Sequence, residues 1–227
     1  MNTVMVTGAD RGVGASLCQI FLEQGWNVIA GQYMPEWDQL SSLQKAYPKQ
    51  LSIVPLDVGN TESVKAAASE AARVTETVDM LVSCAGVFFG TDNRESMSKV
   101  FQINTLGTLR LVEAFEPLMK DGQKKIAVLS SEAGSISLAH RTDSFGYCMS
   151  KAALNMTVKL LYNQLKPKGY QFYLYHPGWV RSYMTGKKST EGDYEPEESA
   201  LVAYRQFTGA SEEALIMKDV QDCYWSF

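Results

Sequence analysis

Short apolar runs alternate with longer stretches of helical spacing along the whole chain, and no other feature restricts the fold so strongly. TVMVTG, WNVIAGQ, LSIVPLDV, VDMLVSCAG, KKIAVLSS, YQFYLYHPGWV and ALIMKDV read as strands. Pro55 makes the third a poor central strand. The first helix, GASLCQIFLEQG, has Leu17, Ile20 and Phe21 on one face and stops at Gly25. The second, PEWDQLSSLQKAYP, opens at Pro35 and turns Trp37, Leu40 and Leu43 inward. NTESVKAAASEAARV has a capping-type start. SMSKVFQINTLGTLRLVEAFEPLMK reads as one long helix with Pro117 near its end, and FGYCMSKAALNMTVKLLYNQLKP as another, stopped by Pro167 and Gly169. Strands separated by helices build βαβ units, in which parallel strands are covered on both faces. The expected fold class is α/β, a single doubly wound parallel sheet with helices on both faces. Residues 1–227 then form one domain. The polar stretch 182–199 after the sixth strand is the candidate substrate loop, because long loops in compact domains often carry function.

Composition narrows the function classes. With 45% apolar and 20% charged residues over 227 positions, the chain suits a soluble domain with a sizeable core. A net charge of −4 gives no electrostatic footprint for nucleic acid. No basic run marks a membrane surface, and no apolar run reaches the roughly 18 residues of a spanning helix. The N-terminal MNTVMVTGAD lacks the features of a secretory signal. Cys18, Cys84, Cys148 and Cys223 form no Cys-x-x-Cys pair, so no metal site is expected and the thiols read as reduced, in a cytoplasmic protein. An enzyme and a binding module fit these properties equally.

TGADRGVG, Thr7 to Gly14, stands between the first strand and the first helix. That context makes a glycine loop a candidate dinucleotide cradle of the Rossmann type. Gly8 suits a tight turn, Gly12 the approach of a pyrophosphate, and Gly14 close packing of helix on sheet. The N–H groups of the helix start would face the anion. The ribose-reading position at the end of the second strand is Gln32, followed by Tyr33, so the acid that favours NAD is missing. Arg11 inside the loop is suited to a 2′-phosphate. These residues favour NADP(H), with NAD(H) an open alternative. Asp57 ends the third strand, placed to accept from an adenine amino group or to cap the turn.

Tyr-x-x-x-Lys occurs at Tyr147/Lys151, Tyr162/Lys166 and Tyr183/Lys187. On a helix this spacing puts both residues on one face. A nearby cation lowers the pKa of a phenol toward the range useful for proton transfer. Only the first pair begins a helix directly after a strand that ends in hydroxyls, Ser130 and Ser131. Ligands bind at that edge of an open α/β sheet. Tyr162/Lys166 reads as a helix-surface pair, and Tyr183/Lys187 falls in the loop.

In their order along almost the whole chain, these motifs resemble the short-chain dehydrogenase/reductase family. TGADRGVG, LDV at Asp57, SCAG at Ser83–Gly86, INTLG with Asn104, SSEAG with Ser131, YCMSK with Tyr147 and Lys151, and HPGWVRS all fall in the family's sequence of motifs. SSEAGSIS, YCMSKAALNM and HPGWV are most similar to its sniffer-like carbonyl reductase branch, commonly NADPH-dependent. The resemblance implies a Ser-Tyr-Lys-Asn tetrad: Tyr147 the general acid/base, Lys151 lowering its pKa and binding the nicotinamide ribose, Ser131 orienting the carbonyl, Asn104 holding a water in the proton relay. It implies cofactor contacts at Gly8, Arg11, Gly12, Val13, Gly14, Gln32, Asp57, Val58, Ala85, Gly86, Lys151, Pro177, Gly178, Val180 and Ser182. The chain departs from the family at Cys84, at Ser182 in place of a Thr, and at a second strand ending without a basic residue. His140, Arg141 and Asp143 fall between Ser131 and Tyr147, as lining of a substrate site or as exposed loop polarity. The aromatic and apolar residues around 88–91 and 179–184 suggest a partly hydrophobic pocket. The implied partner is a small carbonyl or secondary alcohol, with monomer and homo-oligomer both open. The competing functions are a sensor or scaffold that binds the cofactor without turnover, and an epimerase that oxidises its substrate transiently.

Overall fold

The computed structural model describes residues 1–90, 92–184 and 186–226. Seven strands form one parallel sheet in the order β3-β2-β1-β4-β5-β6-β7: β1 Thr3–Val6, β2 Asn27–Gln32, β3 Leu51–Pro55, β4 Met80–Ser83, β5 Lys125–Leu129, β6 Gln171–His176 and β7 Leu215–Asp219. The helices are α1 Gly12–Glu23, α2 Gln39–Ala46, α3 Thr61–Val74, α4 Arg94–Asn104, α5 Leu106–Met119, α6 Phe145–Leu165 and α7 Pro196–Thr208. The expected doubly wound α/β fold is present. The strand order reverses between β3-β2-β1 and β4 onward, so the C-terminal ends of β1 and β4 flank the crevice where such sheets bind ligands.

Two cores explain the double cover. Leu17, Cys18, Phe21 and Leu22 of α1, Leu40 of α2 and Ala200, Ala203 and Phe207 of α7 pack on one face of the sheet. Val64, Ala67 and Ala71 of α3, Leu111 and Phe115 of α5 and Leu154, Val158 and Leu161 of α6 pack on the other. The buried strand positions are near-continuously apolar, as a sheet covered twice requires. Asn60 caps α3 by accepting from the backbone N–H groups of Glu62 at 2.9 Å and Ser63 at 3.2 Å.

Three expectations are corrected. The long helix over residues 96–120 is two helices, broken at Thr105. The Asn104 side chain is drawn to the Val87 backbone, and the Thr105 hydroxyl donates to the Ser150 carbonyl at 2.8 Å, which locks the break. Pro117 lies inside α5 near its end at Met119, as expected. The second helix starts at Gln39, not Pro35, so Trp37 lies in the preceding turn, half-buried and outside the helix's inward face. Residues 196–199 of the expected loop already belong to α7, whose apolar face at Ala200, Ala203 and Phe207 is too short to give a clear helical period. Within that loop Thr185, and within the 88–91 segment Thr91, lie outside the described residues.

Candidate active site

The glycine loop takes the backbone shape its residues permit. Gly8 and Gly12 have φ of +62° and +61°, in the left-handed region that disfavours side chains. A Cβ on Gly8 would stand 2.8 Å from Ala85 Cα, and one on Gly14 only 2.1 Å from the Gly8 carbonyl oxygen. Gly8 therefore allows the loop to approach the β4 exit, and Gly14 allows α1 to start beneath it. The Thr7 hydroxyl ties the two strand ends together, accepting from the backbone N–H groups of Cys84 at 3.1 Å and Ala85 at 3.2 Å. Val13 follows in the first turn of α1. The free N–H groups of that turn and the bare backbone at Gly12 make a cradle suited to an anionic pyrophosphate.

At the adenosine end, Gln32 closes β2 opposite Pro55. The buried Asp10 carboxylate accepts from the N–H groups of Tyr33 and Met34, each at 3.0 Å, and so fastens the β2 exit to the glycine loop. Sequence reading missed Asp10; its signal was an Asp inside a glycine turn, a residue that often bonds nearby backbone N–H groups. Arg11 is the residue before α1, and its guanidinium lies over the Trp37 ring at 4.7 Å. Asp57 bonds its own turn, accepting from Gly59 N–H at 2.8 Å, and Val58 packs where a Cβ on Gly107 would lie. Asp57 thus caps the turn after β3, one of its two expected readings.

Ser131, Tyr147, Lys151 and Asn104 converge beyond the ends of β4 and β5. Ser131 follows β5 and opens a short 3-10 turn, Glu132–Gly134, in which its hydroxyl accepts from Ala133 N–H at 3.2 Å. Tyr147 lies in the first turn of α6 and Lys151 one turn on. The Lys151 ammonium stands 5.8 Å from the Tyr147 ring centroid and donates to the Leu129 carbonyl at 3.0 Å. Burial pushes the Lys151 pKa down from 10.5 to about 8, with Cys84 raising it slightly. Burial raises that of Tyr147, and a hydrogen bond with Ser131 opposes the rise. The Tyr147 residue is half-buried.

Asn104 is 1% exposed and its side-chain orientation is fixed by one main-chain neighbour. Its Oδ1 accepts from Val87 N–H at 2.8 Å, and its Nδ2 donates to the Val87 carbonyl at 3.0 Å and to the Ser150 hydroxyl at 3.1 Å. Both amide hydrogens are used, so further contacts by this side chain can only be as acceptor. Ala85 and Gly86 form the loop that Asn104 holds, and a Cβ on Gly86 would lie 3.4 Å from Asn104 Oδ1 and 3.8 Å from Lys151 Nζ. Pro177 and Gly178 follow β6; Gly178 has φ of +75°, and a Cβ there would press on the Tyr194 ring at 2.8 Å. Val180 bridges to Tyr194, and Ser182 N–H donates to the Val180 carbonyl. The Pro-Gly segment thus leaves the C-terminal end of β6, the same sheet edge as the glycine loop, and Tyr183 beyond it comes within 3.8 Å of where a Cβ on Gly12 would be.

The other two Tyr-x-x-x-Lys pairs fall elsewhere. Tyr162 packs edge-on against Phe172, with Lys159 and Lys166 over its ring. Tyr183 stacks edge-on against Trp37 at 5.1 Å. Two pockets adjoin the Tyr147 segment. Phe88, Phe89, Gly90 and Met184 line an apolar one, and Phe88 meets the Tyr147 ring edge-on at 5.4 Å. Glu132, His140, Arg141, Asp143, Cys148 and Met149 help line the other, where Arg141 grips both Glu132 carboxylate oxygens at 2.6 and 2.8 Å. The departure at Cys84 leaves a half-buried residue whose thiol pKa is pushed up to about 12 by desolvation.

The arrangement places a phenol, a hydroxyl and an ammonium at one point, beside a cradle for a dinucleotide. The family model described as short chain dehydrogenase matches residues 2–193. The chain is 31% identical over 206 residues to the 1-hydroxy-2-glutathionyl-2-methyl-3-butene dehydrogenase of a Rhodococcus strain, covering 88% of each. It superposes on the NADPH-bound carbonyl reductase of chicken fatty liver with a TM-score of 0.88 at 28% identity, covering 100% of this chain and 99% of that one. The carbonyl reductase Sniffer of D. melanogaster shares the fold at a TM-score of 0.90 and 21% identity, with both chains covered in full. None of the described helices is long and apolar enough to cross a membrane. Glycine cradle, strand order and converging hydroxyls together with these matches lead to one conclusion: the chain belongs to the short-chain dehydrogenase family.

Proposed function

We propose that the protein is an NADP(H)-dependent oxidoreductase that interconverts a carbonyl and a secondary alcohol, with Tyr147 as the general acid/base. The observation that carries this reading is the convergence of Ser131, Tyr147 and Lys151 at the sheet edge beside the Gly8–Gly14 cradle. When bound, the nicotinamide supplies or accepts the hydride. In the reductive direction Tyr147 gives its proton to the substrate oxygen as negative charge builds there. Ser131 donates a hydrogen bond to the same oxygen, as an oxyanion site does. Lys151 stabilises the phenolate that remains, and would hold a ribose hydroxyl of the bound cofactor. Desolvation keeps the proton on Tyr147 in the free protein, the state that carbonyl reduction needs. Asn104 holds the Val87 loop against α6, and its side chain offers a relay water only the acceptor Oδ1. Phe88, Phe89 and Met184 form an apolar wall suited to a hydrophobic carbonyl substrate. The segment from Ser182 to Glu195 serves as the substrate loop of this single domain.

NADP(H) is favoured on charge. Gln32 has no charge to repel a 2′-phosphate, and Arg11 stands next to the same strand end through Met34, 2.7 Å from its Nη1. The chicken carbonyl reductase and a Burkholderia multivorans relative of 26% identity are NADPH- or NADP-bound structures, which supports the preference. Tyr147→Phe tests the reading. It should bind NADPH like the parent chain and lose roughly two to four orders of magnitude in turnover on any accepted carbonyl. Full turnover in that variant would remove Tyr147 from the chemistry.

A further inference from the structure

Trp37 and Arg11 come from different loops, yet they meet. Trp37 belongs to the turn between β2 and α2, and its ring lies 4.7 Å from the Arg11 guanidinium carbon. Met34 Sδ receives Arg11 Nη1 at 2.7 Å from the same turn. Trp37 also meets Tyr183 of the loop after β6 in an edge-to-face contact, with ring centroids 5.1 Å apart. Tyr183 in turn lies over the glycine loop, 3.8 Å from where a Cβ on Gly12 would be. Among the described residues the ion pairs do not include Arg11. The cation is therefore held by an aromatic ring and a thioether, neither of which neutralises it.

That mode of holding matters for an anion. A guanidinium held over a ring keeps its charge, and beyond the Nη1 group that meets Met34 its N–H donors are left for an anion. An arginine paired with a carboxylate would offer a phosphate less charge and fewer donors. A long side chain left loose would lose rotamer freedom on binding, and a ring that fixes it beforehand reduces that cost. We propose that Trp37 is a positioning residue that holds the Arg11 guanidinium in place so that its remaining N–H donors meet the cofactor's 2′-phosphate. Trp37 thereby sets selectivity for NADP(H) over NAD(H). This inference rests on the assignment of Arg11 as the 2′-phosphate contact.

The test is titration of wild type, Trp37→Ala, Trp37→Phe and Arg11→Ala with NADPH and with NADH, by calorimetry on the full chain. Trp37→Ala should raise the Kd for NADPH by about three- to tenfold, the range expected for one partly exposed cation–π contact. The Kd for NADH should stay within about twofold, and it reports that the fold and the glycine cradle are intact. Trp37→Phe keeps an aromatic face and should restore most of the NADPH affinity. Unchanged selectivity in Trp37→Ala, or equal weakening of both cofactors, overturns the proposal. If Arg11→Ala collapses the selectivity while Trp37→Ala leaves it, Trp37 alone is misassigned. If Arg11→Ala also leaves the ratio intact, the 2′-phosphate reading of Arg11 fails and the role of Trp37 with it.

Discussion

Replacing Lys151 by Met should stabilise the cofactor-free protein near neutral pH while removing its catalytic capacity. Lys151 is 5% exposed, and among the described residues no ion pair includes it. The fall of its pKa from 10.5 to about 8 means that the charged form costs the fold roughly 3 kcal/mol below the lower value. Met fills a similar volume without charge. Against this gain stands the Leu129 carbonyl, which loses the donor now at 3.0 Å, a loss of about 1–2 kcal/mol. The net expectation is a stabilisation of about 1–2 kcal/mol, or a Tm higher by about 2–8 °C for a chain of this size. The pH dependence has a definite sign. Between about pH 8 and 10.5 the unfolded chain binds more protons at this site than the folded one, so the wild type gains stability as pH rises. The advantage of the variant therefore shrinks across that window. Urea denaturation of both proteins without cofactor, near pH 7 and near pH 9.5, measures it. A variant less stable than wild type near neutrality, or a difference that stays flat with pH, would show that Lys151 is not held charged in a desolvated site.

Gly14→Ala should lose about 2–4 kcal/mol of stability and its cofactor binding, because the new methyl would stand 2.1 Å from the Gly8 carbonyl oxygen and only backbone can move; calorimetric melting reads the first and a NADPH titration the second. Asn104→Ala strands the Val87 N–H, the Val87 carbonyl and one contact of Ser150, and should lower stability by about 2–4 kcal/mol in urea denaturation. In the reductive direction kcat/KM should decline above about pH 8, as Lys151 of the free protein gives up its proton, while the raised Tyr147 keeps its own; an initial-rate profile that is flat to about pH 9 would exclude Lys151 as the titrating group.

Much of the fold was legible because its signals are local. Each parallel strand is buried on both faces and so reads as an apolar run, and each helix shows one apolar face. The break at Thr105 was not legible, since it depends on Asn104 and Thr105 meeting Val87 and Ser150, which are distant in sequence. Helix α7 was hidden by acidic residues in its first turn and by a narrow buried face of alanines and one phenylalanine. At the site, the residue order singled out Tyr147/Lys151 from the three pairs, and the structure brings that pair to Ser131. Trp37 shows what periodicity misses. Its spacing to Leu40 suggested an inward helical position, yet it lies before the helix and faces Arg11. Such contacts between loops leave no periodic trace.

Transfer of a hydride is the step on which the functional reading depends. Incubation of the protein with NADPH deuterated at nicotinamide C4 and a panel of hydrophobic ketones and aldehydes, followed by mass spectrometry of the alcohols, follows that atom. Deuterium should appear on the carbinol carbon in the wild type and be lost with Tyr147→Phe. Tight NADPH binding without label in any alcohol would instead mark a cofactor-binding protein that performs no reduction.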